Sequence, residues 1–191
     1  GVIMLDGVTL SGTSGSVVDL TAAATGNLTF VVRDSALDGA QGVALGIKDA
    51  DVVNVEIGNS SVNSGAGAAL SLSTSGGTAR TFSFTFTDTT VTAAAGGVDI
   101  DVQTSESLSL SFSGSQFQVD EFTVDARAGS DASAAFERVS VSLGGGAFTT
   151  KITGSGSASL DLEASEVGEA GDVSFTAESA GADAVMQLKD I

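Results

Sequence analysis

The chain has 191 residues, 42% of them hydrophobic, and a formal net charge of −17 from 24 acidic and seven basic residues. This hydrophobic fraction excludes a disordered polyelectrolyte, and the scarcity of Lys and Arg excludes nucleic acid and anionic membranes as partners, because phosphate binding depends on clustered cations. His and Cys are absent, which excludes disulfides, zinc–thiolate centres and histidine proton shuttles.

No stretch is apolar over the roughly 18 to 20 residues needed to cross a bilayer, and no basic region precedes a short apolar segment at Gly1. The sequence therefore predicts no membrane insertion and no targeting signal in the chain. We expect a mature form or a segment excised from a longer protein. Proline is also absent, which suits stacked strands whose backbone N–H groups all donate hydrogen bonds.

The apolar residues recur with a period of about 25 residues, which is typical of solenoid proteins. The alternating stretch from Leu28 to Val32 is followed one period later by a similar stretch from Val53 to Ile57. Each repeat contains two strands of alternating polarity, with one apolar residue in the bend between them. A return segment rich in Gly, Ser and Asp leads to the next repeat.

In chain order, the first strand of each repeat is predicted to start near Ile3, Leu28, Val53, Phe82, Leu108, Ala134, Ala158 and Ala184. The apolar bend residues are Leu10, Leu37, Val62, Val91, Phe117, Leu143 and Val167. The second strands are predicted to start near Val18, Val43, Ala68, Val98, Phe122, Phe148 and Val173. The largest insertion falls between Ser73 and Arg80.

Alternate residues of the strands form an inward apolar set and an outward polar set. All ten Phe fall at inward positions, where each gains about 2 to 3 kcal/mol from burial. Three inward positions are not apolar, namely Gly7, Arg138 and Thr150. A local bulge that turns Val139 and Val141 inward would carry Arg138 out to solvent, and we favour that arrangement over a buried ion pair.

Like positions of successive repeats lie about 4.8 Å apart in a stacked parallel sheet, so the apolar columns form one continuous core. The sequence predicts an all-β protein, a right-handed parallel β-helix of about seven coils with roughly 25 residues each, in a single domain over residues 1–191. An antiparallel sandwich is the alternative, although its turn signals would recur roughly every 8 to 12 residues.

Two segments carry a resemblance to a known group of proteins. Residues Leu28 to Leu37 and Val53 to Gly67 resemble the coils of bacterial cell-surface β-helix proteins, which include autotransporter passenger domains and large repeat adhesins. The resemblance covers nearly the whole chain and is architectural, because polysaccharide lyases and phage tailspikes have the same style of coil. It implies secretion to the cell surface, an elongated shape and a role in adhesion or self-association.

The strongest candidate site is a set of charged residues on the outer face of the second strands. Asp101, Asp125 and Lys151 are predicted to lie on three successive coils, with Asp99 beside Asp101. Carboxylates stacked about 5 Å apart repel one another and attract a cation, which makes Asp99, Asp101 and Asp125 candidate calcium ligands. The alternative, which we favour, is a solvated sheet face with one ion pair between Asp125 and Lys151.

The other charged pairs indicate plain surface charge, either on the first-strand face or at strand ends. These pairs are Glu137 with Asp161, Arg33 with Asp34, and Lys48 with Asp49. Glycan-binding clefts usually present aromatic rings, and every aromatic residue here is predicted to lie in the core. The outward hydroxyls Thr81, Ser83, Thr85 and Thr87 do not continue as a threonine array over the coils, which argues against ice binding.

The sequence predicts a non-enzymatic structural or adhesive module of a secreted bacterial surface protein, located outside the cell. We expect no catalytic residue and no required cofactor. The chain begins and ends on strand residues without a helical cap, so we expect flanking coils or end-to-end association between copies. A cell-surface glycan or protein is the other expected partner.

The alternative function is a calcium-dependent polysaccharide lyase, or another glycan-active domain, that uses Asp99, Asp101, Asp125 and Lys151. In such a lyase the carboxylates bind calcium and a basic residue abstracts a proton. A polygalacturonase-type site is excluded because the chain has no His.

Overall fold

The structure, a computed structural model, describes residues 1–22, 26–47, 50–74, 79–168, 171–181 and 183–190. Within these ranges every regular element is a β-strand, and no helix is present that could span a membrane. The strands pair in parallel and stack as a β-solenoid of about seven coils with roughly 26 residues per coil. The predicted all-β parallel solenoid is therefore confirmed.

Each coil contributes a leading, a middle and a trailing strand. The leading strands are β1 (Val2–Asp6), β4 (Asn27–Arg33), β7 (Val52–Gly58), β10 (Ala79–Thr87), the C-terminal part of β12 (Gly97–Ser113), β15 (Asp131–Glu137), β18 (Ser157–Glu163) and β21 (Asp183–Lys189). The middle strands are β2 (Thr9–Ser11), β5 (Ala36–Gly39), β8 (Ser61–Ser64), β11 (Thr90–Ala93), β13 (Gln116–Val119), β16 (Ser140–Leu143) and β19 (Glu166–Gly168). The trailing strands are β3 (Ser16–Ala22), β6 (Gln41–Ile47), β9 (Leu70–Thr74), the N-terminal part of β12, β14 (Glu121–Ala128), β17 (Phe148–Gly154) and β20 (Val173–Ser179).

The middle strands correct one prediction. The sequence predicted a bend with a single apolar residue, whereas the structure has a short strand that pairs with its counterparts in a seven-stranded sheet of its own. Leu37 of β5 lies opposite Val62 of β8, as the repeat predicted. The leading and trailing strands belong to one 14-stranded sheet because β12 runs through both positions.

The register agrees with the predicted repeat at most coil junctions. Leu28 pairs with Val53, Val53 with Phe82 and Phe82 with Leu108. At four positions the predicted alignment is wrong by two residues. The structure pairs Ile3 with Phe30 instead of Leu28, Ala134 with Leu110 instead of Leu108, Val43 with Leu70 instead of Ala68, and Phe117 with Val141 instead of Leu143.

The physical reason for these errors is the two-residue period of a strand. A slip of two residues returns every side chain to the same face of the sheet, so the apolar pattern alone does not detect it. The predicted insertion between Ser73 and Arg80 includes residues 75–78, which lie outside the described residues. On either side of them, β9 ends at Thr74 and β10 begins at Ala79.

A corner column is formed by the residue that directly follows each leading strand. Its eight residues all have left-handed backbone conformations, with φ between 46° and 62°, and they are Gly7, Asp34, Asn59, Asp88, Gly114, Arg138, Ala164 and Asp190. Gly, Asn and Asp tolerate this conformation better than other residues. Gly7 and Arg138, predicted at inward positions, lie in this exposed column. Arg138 turns outward as predicted, through this corner and not through a bulge.

A hydroxyl column follows the corner column by one residue. Its buried members are Ser35, Ser60, Thr89, Ser115 and Ser165. The N–H of Ser35 donates to Ser60 Oγ, and the N–H of Ser60 donates to Thr89 Oγ1. Each hydroxyl in turn donates to the carbonyl two residues earlier, as Ser115 does to Ser113. Val139 occupies the same position in its coil and is also buried.

The core fills the space enclosed by the three strand positions. Nine of the ten Phe side chains are buried, and Phe175 packs partly buried against them, which confirms their inward assignment. The rings of Phe112 and Phe136 stack with centroids 4.7 Å apart, and those of Phe122 and Phe148 stack at 4.9 Å. The largest side chains therefore concentrate in the central coils.

Candidate functional site

The predicted charged residues lie on the outer face of the trailing strands β12, β14 and β17. Asp101 pairs with Asp125, and Asp125 pairs with Lys151, so the predicted stacking on three successive coils is confirmed. Asp99 lies two residues before Asp101 on the same face of β12, opposite Thr123.

Arg127 is the residue that sequence reasoning missed at this site. Its Nη2 donates to Asp101 Oδ1, and its Nε lies 3.4 Å from Asp125 Oδ1, an ion pair without hydrogen-bond geometry. The sequence could have indicated this residue, because Arg127 follows Asp125 by two positions and therefore lies on the same face of the strand. The guanidinium thus lies against two of the three carboxylates that were predicted as calcium ligands.

Lys151 differs from the prediction in its partner. Its Nζ forms an ion pair with Glu178 Oε2 at 3.0 Å, although its backbone lies next to Asp125. Lys151 thus links β17 to β20 on the next coil. Arg127 is thus the cation that pairs with Asp101 and Asp125, whereas Lys151 pairs with a carboxylate outside the three aspartates.

The carboxyl group of Asp99 has a shifted pKa. Partial burial raises its pKa above the ordinary value for aspartate, and the negative charge of Asp101 raises it further. Both causes oppose ionisation.

The geometry of the three aspartates does not make a calcium cage. Calcium takes about six to eight oxygen ligands at roughly 2.3 to 2.6 Å. Over the described ranges, no cluster of three or more acidic side chains is placed to hold a metal ion. The assignment of Asp99, Asp101 and Asp125 as calcium ligands stays a prediction.

The second predicted acidic pair is not formed. Glu137 lies opposite Glu163, and Asp161 lies opposite Ala135, because the register here differs by two residues from the predicted one. Glu137 forms an ion pair with Arg138. The pair of Lys48 and Asp49 lies outside the described residues.

Ion pairs between neighbouring coils are the common pattern of the charged outer surface. These pairs join Arg33 with Glu56, Arg80 with Glu106, Arg127 with Asp101, Lys151 with Glu178, and Lys189 with Glu163. Hydrogen bonding between the last two side chains, with their opposite charges, raises the pKa of Lys189 and lowers that of Glu163. All of these side chains are exposed to solvent by two fifths or more, so each pair contributes little stability.

The outer face of the leading strands carries small hydroxyl side chains. A shallow depression of about 280 Å³ lies over Ser109, Ser133 and Ser159, which occupy one column of three neighbouring strands. Ser133 Oγ donates to Ser109 Oγ at 3.3 Å. The aromatic rings near this depression belong to the core, so no exposed ring in the described part of this face offers a platform for a sugar.

Compared with known proteins, the chain matches no family model, no curated protein and no solved structure. The parallel β-solenoid is therefore the most specific class to which the chain is assigned. Its function is argued from its own surface and ends.

Proposed function

We propose that the chain is a non-enzymatic structural module of a secreted bacterial surface protein, in which the stacked coils act as a stiff spacer and as an element of self-association. The observation that carries this proposal is the contrast between core and surface. The core is continuous and aromatic, whereas the outer faces carry ion-paired charges and small hydroxyls.

The continuous core supports stiffness. Each coil pairs with its neighbour through parallel strands at every strand position, and side chains of successive coils stack in the core. Seven coils at about 4.8 Å each span about 34 Å. Bending such a stack would break backbone hydrogen bonds and open the packed core, so we infer that this segment is stiff.

The paired charges support the absence of catalysis. A lyase needs a base free to abstract a proton and cations free to bind an acidic substrate. Arg127 and Lys151, the cations nearest to the predicted site, are both engaged by carboxylates. We propose further coils or copies of the chain as its partners, with a cell-surface glycan or protein as the other proposed partner outside the cell.

The test measures calcium binding, lyase activity and particle shape for the purified chain. Calorimetric titration with calcium and an assay for unsaturated products on acidic polysaccharides should both give no signal. Small-angle X-ray scattering should give a compact particle whose profile is the same with and without calcium. Calcium-dependent turnover that is lost in Asp125→Asn and Lys151→Ala would establish the lyase instead, with Ser133→Ala as the matched surface control.

A further inference from the structure

The exposed large apolar side chains of the described residues lie only at the two ends of the solenoid. They are Val2, Ile3 and Met4 at one end, and Val173, Val185, Met186 and Leu188 at the other. Six of these seven side chains belong to two strands, β1 and β21. In the central coils, buried core residues occupy the positions equivalent to Ile3, Met186 and Leu188. The positions equivalent to Val2, Met4 and Val185 lie on the outer face of the sheet.

Strands β1 and β21 are the two edges of the column of leading strands. Among the described residues β1 pairs with β4 alone, and β21 pairs with β18 alone. Edge strands of natural proteins are usually protected by proline, bulges or inward charges. The chain has no proline, and the four consecutive apolar residues from Val2 to Leu5 are typical of a strand that is covered on both faces.

The register inside the chain shows how these two edges match. Val2 and Val185 belong to one column, which runs from Val2 through Thr29, Asn54, Ser83, Ser109, Ser133 and Ser159 to Val185. The same seven junctions place Ile3 in the column of Met186 and Leu5 in the column of Leu188. They also place Asp6 in the column of Lys189.

We propose that β1 of a second copy of this chain pairs in parallel with β21, in the register that the coils use within the chain. The inference rests on the proposed assembly role and names the surface that performs it. In that register, apolar side chains meet at three positions, and Asp6 of one copy lies opposite Lys189 of the next. The junction is head-to-tail, so it is repeated along a row of copies.

Two features of the structure limit the strength of this junction. The described residues contain eight leading strands but seven middle and seven trailing strands. A copy paired with β21 therefore leaves its β2 two strand spacings from β19. Only the leading strand position, one of the three in each coil, therefore forms the contact. Each copy also carries a net charge of −17, and this repulsion is screened by salt. We expect reversible association that strengthens as salt concentration rises.

Single cysteines test the register, because the chain has no Cys of its own. Neighbouring strands lie about 4.8 Å apart, which is within the Cα separation that a disulfide spans. Mild oxidation of a mixture of Val2→Cys and Val185→Cys chains should give disulfide dimers about tenfold faster than either variant alone. Ser109→Cys, in the same column at mid-molecule, is the matched control and should not cross-link with Val2→Cys.

Sedimentation velocity of the unmodified chain supplies the second measurement. Val185→Asp places a charge on the free edge and should weaken association about tenfold, whereas Ser133→Asp in the same column should leave it unchanged. If Val2→Cys alone or Val185→Cys alone forms dimers as fast as the mixture does, the head-to-tail junction is wrong, although the chain still self-associates. A chain that stays monomeric at every salt and protein concentration, without cross-links, would overturn both.

Discussion

Thr150 is a buried polar residue that the fold does not accommodate fully. It is fully buried, pointing into the core between Val124 and Phe175 of the neighbouring coils. Its Oγ1 has no hydrogen-bond partner among the described residues. A buried hydroxyl without a partner costs about 1 to 3 kcal/mol of folding free energy. Removing the hydroxyl should therefore stabilise the chain.

We expect Thr150→Val to raise the free energy of unfolding by about 1 kcal/mol, because it removes the unpaired hydroxyl at nearly constant volume. Urea unfolding followed by circular dichroism measures the change. The matched control is Val124→Thr, which introduces a hydroxyl at the neighbouring position of the same column and should destabilise the chain. A loss of stability in Thr150→Val would show that its hydroxyl is satisfied.

Val139 interrupts the hydroxyl column. Its own N–H donates to Ser165 Oγ, but its side chain has no oxygen to accept the N–H of Ser115. We expect Val139→Thr to be neutral or to stabilise the chain by up to about 1 kcal/mol, since the new hydroxyl gains a donor and an acceptor in the column. Val141→Thr is the control. Val141 is equally buried but belongs to no such column, so its replacement should cost about 1 to 3 kcal/mol in the same unfolding measurement.

At the scale of the elements, the central coils are held by a stack of aromatic rings. Phe112 contacts the rings of Phe84, Phe86, Phe117 and Phe136, with centroids between 4.7 and 6.2 Å. These contacts join leading and middle strands of three successive coils. The strands that carry them are therefore expected to unfold together.

We expect Phe112→Ala to lower the free energy of unfolding by about 3 to 5 kcal/mol, because the fixed strands around the ring prevent the cavity from collapsing. Phe175→Ala is the control in the last coil, where the ring is only partly buried, and should cost roughly half as much. Thermal and urea unfolding of both variants gives the comparison. Equal losses would mean that the terminal coil packs as tightly as the centre.

The sequence predicted the strands and their inward faces because apolar alternation repeats along the whole chain. It failed at Ile3, Ala68, Ala134 and Leu143 because a slip of two residues preserves that alternation. The corner column would have set the register, since Asp34, Asn59 and Asp88 are residues that favour left-handed turns. Arg138 and Ala164 occupy the same corner without that preference, so the signal fades in the later coils.

The candidate site was only partly predictable for a related reason. The stacking of Asp101, Asp125 and Lys151 follows from strand register, which sequence periodicity supplies. The choice of partners by Arg127 and Lys151 depends on the conformations of long side chains across coils. Periodicity contains no information on those conformations.

At the scale of the whole molecule, stability is expected to vary along the solenoid axis. The central coils bury the Phe side chains, while the first and last strands expose Val2, Met4, Val185 and Leu188. In stacked repeats each coil is stabilised by its two neighbours, so end coils unfold first.

We expect amide hydrogen exchange in the isolated chain to be slowest in β10 to β17 and fastest in β1 and β21. Exchange measured by mass spectrometry on peptide fragments gives the profile. Under conditions that favour association between copies, protection should increase in β1 and β21 and change little in the centre. Uniform exchange along the axis would contradict a solenoid whose coils are stabilised by their neighbours.

The corner column marks positions at which a whole coil can be removed or added. Because equivalent corners mark the same point on every coil, deleting residues 138–163 joins Glu137 directly to Ala164 at an equivalent corner. The shortened chain should keep its fold, bring Ser115 next to Ser165 in an unbroken hydroxyl column, and lose about 4.8 Å of length by X-ray scattering. The length of the solenoid can thus change in steps of one coil. Duplication or deletion of the coding sequence for one coil would change the length while the packing of the core is kept.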